Sequence, residues 1–336
     1  MAKKVIVVGG GIVGCLTALA LRDRGCQVTL VERNVVAAQT SGESSWAGAG
    51  ILFPLLPWMY KDAVNQLAMA GARLYPALCE RLLGETGIDP EYTESGMQIL
   101  PTFDEAAAIE WCKKYQIPIQ QNSSGLLLSS VAQVRPPHLL QALRQLLLQQ
   151  NVSLLENTQL EPLASIEKIN KWKTSTGLVL EADAYVVTSG AWSFDLLKDT
   201  AAGLNIKPMR GQILLYESVP EKLENIIYSN GFYLVPRRDG LLLAGSTLEN
   251  VGFDARTTAD VKQALQTKAE SILPSLKYAA IRKHWSGLRP GTPDNLPTIA
   301  THPSIKNLYL NTGHFRYGLT MAPASAARIV ELVLGG

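Results

Sequence analysis

The chain has 336 residues, of which 47 % are hydrophobic and 18 % are charged, and its formal net charge is +2. This composition excludes a mainly disordered chain, because disordered chains are polar and highly charged. The near-neutral charge argues against a nucleic-acid-binding protein, which would carry a basic stripe. The length predicts about two domains.

Cysteine and histidine usage argues against a metal site and a disulfide framework. The chain has 4 cysteines, which form no C-x-x-C pair, and 4 histidines, which form no H-x-x-x-H pair. Zinc and iron–sulfur sites need closely spaced ligands of these types. We therefore expect no metal and a reduced protein located in the cytoplasm.

A glycine-rich turn follows the first predicted strand, residues 5–8. Gly9, Gly11 and Gly14 satisfy the G-x-G-x-x-G pattern, and a helical pattern of apolar residues comes next. Gly9 permits a tight turn, Gly11 lets the backbone approach a pyrophosphate, and Gly14 lets the helix pack on the strand. The glycines also argue against a signal peptide, and the apolar run is too short for a membrane span.

An acidic residue, Glu32, ends the second predicted strand, residues 27–31. A carboxylate there accepts hydrogen bonds from the ribose of an adenosine and repels a 2′-phosphate, so the pattern predicts FAD or NAD rather than NADP. The small-residue run 40–50 favours a long, extended cofactor, because glycines allow close backbone approach and hydroxyl groups can donate hydrogen bonds. The fingerprint itself leaves FAD and NAD open.

The middle of the chain alternates between predicted helices and strands. Helices are predicted over residues 62–83, 105–115, 136–150 and 261–273, and strands over residues 91–100, 152–155, 184–188, 212–216, 231–235 and 241–244. The strand 184–188 leads into a Ser-Gly-Ala-Trp segment that resembles a second nucleotide contact. The apolar stretch 51–60 contains two prolines and is interpreted as a buried loop or an exposed lip.

Two segments near the carboxyl end stand out. Residues 285–294 are rich in glycine and proline and are interpreted as a rigid loop. A strand beginning at residue 308 leads through a glycine turn into a terminal helix that ends near residue 334. A helix N-terminus of this kind stabilises negative charge, and it would suit the reduced ring of a flavin.

Five segments make the chain resemble the D-amino acid oxidase/glycine oxidase superfamily of FAD enzymes, and within it the glycine oxidases of thiamine biosynthesis. They are residues 9–14, 49–52, 233–236, 287–292 and 313–316. The resemblance covers nearly the whole chain and implies an α/β (α+β) fold with two domains. A Rossmann-like FAD-binding domain with a parallel sheet would comprise residues 1–75, 135–205 and 275–336. A substrate-binding domain built on an antiparallel sheet flanked by helices would comprise residues 76–134 and 206–274.

The resemblance implies FAD bound without a covalent link. No cysteine lies beyond Cys112, so the cysteine that tethers the flavin in related enzymes has no counterpart. The implied cofactor contacts are Gly9, Gly11, Ile12, Val13, Gly14, Glu32, Arg33, Ser44, Ser45, Ala49, Gly50, Leu160, Ser189, Gly190, Trp192, Arg289, Gly313, Arg316, Tyr317, Gly318, Leu319 and Thr320.

For the substrate, the resemblance implies that Tyr233, Arg289 and Arg316 are the catalytic residues. The planar guanidinium of Arg289 would pair with the substrate carboxylate, and Tyr233 would donate a hydrogen bond to the same group. The backbone carbonyl of Arg316 would help to hold the substrate amine. Ile51 and Leu248 would be apolar walls of the pocket.

The implied reaction is oxidative deamination of glycine or another small amino acid. A hydride would pass to flavin N5, and O2 would reoxidise the flavin to give H2O2 and an imine or oxo acid. The resemblance also implies a homo-oligomer and thiazole synthase as a partner. Gly231 stands where some glycine oxidases carry a histidine, so the choice among glycine, sarcosine and small D-amino acids stays open.

Two other functions stay open at this point, because a fold alone does not fix a function. The first is a membrane-associated D-amino acid dehydrogenase that passes electrons to a quinone, which the apolar stretch 51–60 would favour. The second is a non-catalytic flavin-binding subunit of a larger complex.

Overall fold

Two large β-sheets with helices packed on them form the computed structural model, which describes residues 2–40, 42–101 and 103–335. Ser41, part of the small-residue run 40–50, lies outside the described residues. The strands, in chain order, are β1 (Lys4–Val8), β2 (Gln27–Val31), β3 (Met97–Ile99), β4 (Ile119–Asn122), β5 (Gly125–Leu128), β6 (Ser153–Leu155), β7 (Trp172–Lys173), β8 (Val179–Leu180), β9 (Ala184–Val187), β10 (Lys207–Glu217), β11 (Ile226–Ser229), β12 (Phe232–Pro236), β13 (Leu242–Gly245), β14 (Ala280–Gly291), β15 (Thr298–Thr301) and β16 (Leu308–Thr312). The α-helices are α1 (Ile12–Asp23), α2 (Ser44–Ala47), α3 (Asp62–Ala72), α4 (Tyr75–Thr86), α5 (Glu105–Lys114), α6 (Pro136–Gln149), α7 (Ser193–Leu197), α8 (Ala259–Ile272) and α9 (Gly318–Gly335). Short 3-10 helices span Pro57–Met59, Gly190–Trp192, Pro274–Tyr278 and Phe315–Tyr317.

The first sheet has the strand order β15-β16-β9-β1-β2-β6. It is parallel except at its edge, where β15 pairs antiparallel with β16. Successive side chains point to opposite faces, so Val7 packs in one cluster with Ile329 of α9, whereas Val8 packs in another with Leu160 and Trp172. Because both faces are covered, the central strands are continuous apolar runs.

The second sheet has the strand order β14-β10-β13-β12-β11-β3-β5-β4 and is antiparallel except between β11 and β3. Helix α8 covers one face, where Leu265 and Ala269 pack with Leu214 and Leu234. A parallel and an antiparallel sheet in one chain confirm the predicted fold class. Strand β14 lies in a range assigned from the sequence to the FAD-binding domain, yet it pairs with β10 of the second sheet. The domain boundaries stay a prediction.

The interpretation of residues 285–294 as a rigid loop is wrong, because most of this segment belongs to β14, which pairs with β10 along its length. Pro290 is tolerated because β14 is an edge strand, where a missing N–H need not break a ladder. Gly287 leaves room for α2, since a Cβ there would lie 2.7 Å from the Cβ of Ala47. Pro290 and Gly287, which suggested a loop, are therefore both compatible with a strand, and Gly287 allows that strand to pack against α2.

The single helix predicted over residues 62–83 is two helices, α3 and α4, which are separated by Arg73 and Leu74. Pro76 lies in the first turn of α4. In a continuous helix it would leave the carbonyl of residue 72 without its N–H partner, whereas in a first turn the missing N–H costs nothing.

The apolar stretch 51–60 combines both of its sequence interpretations. Leu52 and Phe53 are buried, whereas Met59, in the 3-10 helix Pro57–Met59, is 71 % exposed. The stretch is therefore a buried loop that ends in an exposed lip. Across the described ranges, no helix has both the length and the apolar composition needed to cross a membrane.

Helix α3 packs against α9 through a glycine, which gives a test of the fold. A Cβ on the buried Gly71 would lie 2.1 Å from the carbonyl oxygen of Thr320, so Gly71→Ala must push the helices apart. We expect it to lower the free energy of unfolding by about 1–3 kcal/mol in urea denaturation. Gly84→Ala in α4 is the matched control, because among the described residues no atom outside its own helix lies within 4 Å of its added Cβ. Alanine favours a helix, so Gly84→Ala should stabilise the protein by about 0.5–1 kcal/mol. Equal stability of the two variants would contradict this packing.

Candidate active site

A cleft of about 330 Å³ opens at the carboxyl ends of β1, β2, β9 and β16. Ligands of α/β sheets bind at this edge, in the crevice outside the carboxyl ends of the strands. Arg289 and Pro290 enter the cleft from β14, so the second sheet contributes to its wall. The other lining residues come from the segments 8–13, 31–33, 43–48, 158–162, 188–196 and 311–319.

The glycine-rich turn between β1 and α1 leaves its backbone close to neighbouring groups. Gly9 has a φ of +110°, which favours glycine, and a Cβ on Gly14 would lie 1.8 Å from the carbonyl oxygen of Gly9. A Cβ on Gly11 would lie 2.9 Å from Oγ of Ser45, which accepts a hydrogen bond from the backbone N–H of Ile12 at 3.0 Å. Helix α1 has no acidic residue in its first turn, so the positive end of its dipole at the cleft stays uncompensated by its own side chains.

Glu32 lies at the end of β2 and lines the cleft, although it is only 9 % exposed. Its Oε2 accepts a hydrogen bond from the N–H of Gly10 at 2.7 Å, and its Oε1 accepts one from the N–H of Asn34 at 2.8 Å. Burial raises the pKa of Glu32, while these two backbone groups act in the opposite direction. Each carboxylate oxygen can accept a further hydrogen bond, which is what a ribose hydroxyl requires.

Three stacked side chains lie beside Glu32. The guanidinium carbon of Arg33 is 3.5 Å from the ring centroid of Trp192, and Trp192 stacks on Phe253 with their ring centroids 5.4 Å apart. Arg33 and Trp192 were predicted from the sequence as cofactor contacts, and both line the cleft. Phe253 was missed, because nothing in the sequence around it indicates contact with a segment far away in the chain.

The structure divides the predicted cofactor contacts into two groups. Those that line the cleft are Gly9, Gly11, Ile12, Val13, Glu32, Arg33, Ser44, Ser45, Leu160, Ser189, Gly190, Trp192, Arg289, Arg316, Gly318 and Leu319. Those outside the lining are Gly14, Ala49, Gly50, Gly313, Tyr317 and Thr320.

The residues outside the lining form hydrogen bonds that hold neighbouring segments of the chain together. Thr320 Oγ1 donates a hydrogen bond to the carbonyl of Ile51 at 3.0 Å, and the Tyr317 hydroxyl donates one to the carbonyl of Leu55 at 3.1 Å. The carbonyl of Ala49 accepts a hydrogen bond from Nη2 of the half-buried Arg237 at 2.7 Å. The bonds of Thr320 and Tyr317 tie the amino end of α9 to the segment that follows α2, and the bond of Arg237 ties that segment to the end of β12.

Arg289 is a half-buried arginine whose guanidinium is desolvated by the surrounding protein. Its Nη2 donates a hydrogen bond to Ser246 Oγ at 2.8 Å, and its Nη1 donates one to the carbonyl of Thr247 at 3.1 Å. Among the residues that the structure describes, no carboxylate forms an ion pair with it. Burial lowers the pKa of Arg289. The Arg289 guanidinium lies over Gly211. A Cβ at residue 211 would be 2.0 Å from Nη1, so the guanidinium fits there because glycine has no side chain.

Tyr233 and Arg316 lie close enough to Arg289 to affect its pKa, Tyr233 by raising it and Arg316 by lowering it. Tyr233 is buried on β12 and pairs across the sheet with Tyr228. Arg316 is exposed and lines the cleft, and its backbone N–H donates a hydrogen bond to Oδ1 of Asn295 at 3.1 Å. The structure therefore brings together the three residues predicted to be catalytic.

The predicted pocket walls, Ile51 and Leu248, lie outside the lining of the cleft. Ile51 is half-buried, and Leu248 is 44 % exposed in the segment that follows β13; neither lines the cleft, and nor does Tyr233. Leu248 is adjacent in the chain to Thr247, whose carbonyl bonds Arg289. Gly231 lies in the exposed turn between β11 and β12 with a φ of +78° and open space around it.

A single buried histidine lines the described part of the cleft. His314 is 2 % exposed, its Nε2 has no hydrogen-bond partner, and burial lowers its pKa to about 3. It is therefore neutral in the folded protein at pH 7.

The chain matches the family described as FAD dependent oxidoreductase over residues 4–332. It is 39 % identical to a glycine oxidase of Pseudomonas putida, over 100 % of this chain and 95 % of that protein. It is 30 % identical to a protein of Trichormus variabilis named bifunctional protein ThiO/ThiG, over 99 % of this chain and 53 % of that protein.

A solved structure of glycine oxidase from Geobacillus kaustophilus superimposes with a TM-score of 0.89 at 26 % identity, over 99 % of this chain and 95 % of that one. The fold, the matched family and the full-length relatives agree with the resemblance read from the sequence motifs. The chain therefore belongs to the FAD dependent oxidoreductase family, and FAD is its cofactor.

Proposed function

We propose that this protein oxidises glycine or another small amino acid, with FAD as the first electron acceptor and O2 as the second. The observation that carries this proposal is Arg289, a half-buried arginine at the cleft whose guanidinium forms no ion pair with a carboxylate in the described ranges. A small zwitterion would supply that partner through its carboxylate. The names of relatives that match nearly the whole chain support the same substrate class.

The residues at the carboxyl ends of the first sheet fit FAD. The glycine-rich turn and the amino end of α1 would hold the pyrophosphate, and Glu32 would accept hydrogen bonds from the ribose hydroxyls. The residues from Arg316 to Leu319, at the amino end of α9, would face the flavin ring. We propose that FAD is held without a covalent bond, since no cysteine lies beyond Cys112.

The chain's own task is to bind and orient the substrate. Arg289 and Tyr233 would fix the substrate carboxylate, and the backbone carbonyl of Arg316 would accept a hydrogen bond from the amine. FAD, when bound, supplies a hydride acceptor at N5 and a route for the two electrons to O2, which gives H2O2. With the substrate held in this way, its Cα–H bond would need only to point at the flavin ring for the hydride to be transferred.

No histidine that lines the described part of the cleft is suited to act as a base that takes up and releases a proton near neutral pH. His314 stays neutral because its pKa is about 3, and its burial separates it from solvent protons. Without a histidine base, the substrate amine would lose its proton to water before oxidation, and the rate should then rise with pH until the amine is neutral.

The oxidised product is an imine or its oxo acid, and we propose that it supplies the thiazole part of thiamine. The relative named bifunctional protein ThiO/ThiG supports this proposal, since this chain matches about half of it. A separate thiazole synthase would then be the partner of this chain. A homo-oligomer and a location in the cytoplasm stay predictions.

Replacing Arg289 tests the proposed function. Arg289→Met removes the cation that would bind the carboxylate, so kcat/KM for glycine should fall ~100-fold or more while the yellow FAD is retained. The measurements are steady-state peroxide formation and the flavin-to-protein absorbance ratio. Arg282→Met on the same strand is the control, because the Arg282 side chain is 57 % exposed and should leave kcat/KM unchanged. Unchanged turnover of Arg289→Met would contradict the assignment.

His314 predicts a defined dependence of stability on pH. Its pKa of about 3 in the folded state lies below the ordinary value of 6.5, so acid favours the unfolded chain, which binds the proton. The contribution is complete above pH 6.5 and is lost as the pH falls toward 3. Between pH 7 and pH 5 the free energy of unfolding of the native protein should therefore fall by ~2 kcal/mol more than that of His314→Gln. Urea denaturation at the two pH values measures this difference, and parallel losses would show that His314 titrates normally.

A further inference from the structure

A buried arginine, Arg210, lies on β10 next to the strand that carries Arg289. Only 5 % of its side chain is exposed, and its Nη2 donates a hydrogen bond to Glu249 Oε2 at 2.7 Å. Its Nη1 donates to the carbonyls of Arg256 and Asp254 and lies 3.4 Å from Oδ2 of Asp254. Arg210 and Glu249 also exchange two backbone hydrogen bonds of 2.9 Å. Arg210 thus holds the segment that follows β13.

Glu249 is connected to the substrate-binding arginine by a short chain of bonds. Its Oε1 accepts a hydrogen bond from Thr247 Oγ1 at 2.6 Å and another from Gln212 Nε2 at 3.0 Å. The carbonyl of the same Thr247 accepts the hydrogen bond from Arg289. Glu249 is also near enough for its negative charge to raise the pKa of Arg289. A carboxylate of the protein itself is therefore linked through Thr247 to the guanidinium that should remain available to the substrate.

We propose that Arg210 is a positioning residue for substrate binding, which neutralises Glu249 and so keeps Arg289 unpaired for the substrate carboxylate. The inference rests on the proposed function of Arg289. Without Arg210, the negative charge of Glu249, whose side chain is 20 % exposed, would act on the nearby Arg289 in poorly screened surroundings. Glu249 would then compete with the substrate carboxylate for the same cation.

The other charged groups around this pair do not replace Arg210. Asp254 is paired with Arg256, whose side chain is 86 % exposed and points to solvent. Arg316, which also lines the cleft, lowers the pKa of Arg289, so it acts on Arg289 as a like charge. Arg210 is the cation that forms an ion pair with Glu249 among the described residues.

Charge neutralisation and simple structural support predict different results for a set of variants. Under neutralisation, Arg210→Met frees Glu249 and should raise the KM for glycine ~10-fold, with kcat changed much less. Glu249→Gln removes the competing charge and keeps an acceptor for Thr247, so its KM should stay within about twofold of the native value. The double variant Arg210→Met/Glu249→Gln should regain the native KM. Arg256 is an exposed arginine of the same segment, so Arg256→Met should leave kcat and the KM for glycine unchanged.

Arg210→Lys separates the charge from the hydrogen bonds, and it serves if Arg210→Met fails to fold. Lysine keeps the positive charge but cannot bond Glu249 and the two carbonyls with a planar fork. Neutralisation predicts a nearly native KM for this variant, whereas a role in anchoring the segment predicts a raised one. An equal rise of KM in Arg210→Lys and Arg210→Met, or in Glu249→Gln and Arg210→Met, would overturn the proposal.

Acetate gives a binding readout that does not depend on turnover. Titrating acetate into the FAD-loaded protein and following the flavin spectrum should give a dissociation constant that Arg210→Met raises ~10-fold and the double variant restores. If the proposed function is wrong, the native protein itself will neither oxidise glycine nor bind acetate, which distinguishes this outcome from a failure of the Arg210 proposal. A native protein that does both, with an Arg210→Met variant equal to it, would overturn the role of Arg210 alone.

Discussion

The partial burial of Arg289 without a carboxylate partner among the described residues is the constraint on which the site depends. Removing a charged group from water is unfavourable unless the group is paired, and burial accordingly lowers the pKa of Arg289. Two neutral acceptors in the segment that follows β13, Ser246 Oγ and the carbonyl of Thr247, offset part of this cost, and Gly211 leaves room for the guanidinium. A bound carboxylate would complete the pairing, so an arrangement that is unfavourable in the free protein favours ligand binding.

The two sheets contribute different parts of this site. The first sheet ends in a glycine-rich turn and in Glu32, which suit the pyrophosphate and ribose of FAD. The second sheet carries Arg289 on β14 and Tyr233 on β12, which suit a small zwitterion. The packing of α2 against Gly287 joins them, because it brings β14 to the cleft at the end of the first sheet. The chemistry we propose therefore depends on contact between elements that are distant in the chain.

The sequence predicted the parts of the site that are local. The strand, the turn from Gly9 to Gly14 and the acid at Glu32 follow one another within one short stretch, so their spacing alone indicates their arrangement. β14 could not be recognised in this way, because its pairing with β10 is long-range and its glycines and proline resemble a loop. The contacts of Arg210 with Glu249 and of Phe253 with Trp192 likewise depend on tertiary packing. Only the family resemblance pointed to Arg289, Tyr233 and Arg316 from the sequence.

The most direct test of the account is to add glycine to the FAD-loaded protein without oxygen and then to admit air, while recording the visible spectrum. The account predicts that glycine bleaches the flavin and that air restores the colour with formation of H2O2. Bleaching followed by slow recovery would indicate a dehydrogenase with another acceptor. A flavin that stays oxidised with glycine, sarcosine and small D-amino acids would contradict the claim that Arg289 holds an amino acid for oxidation.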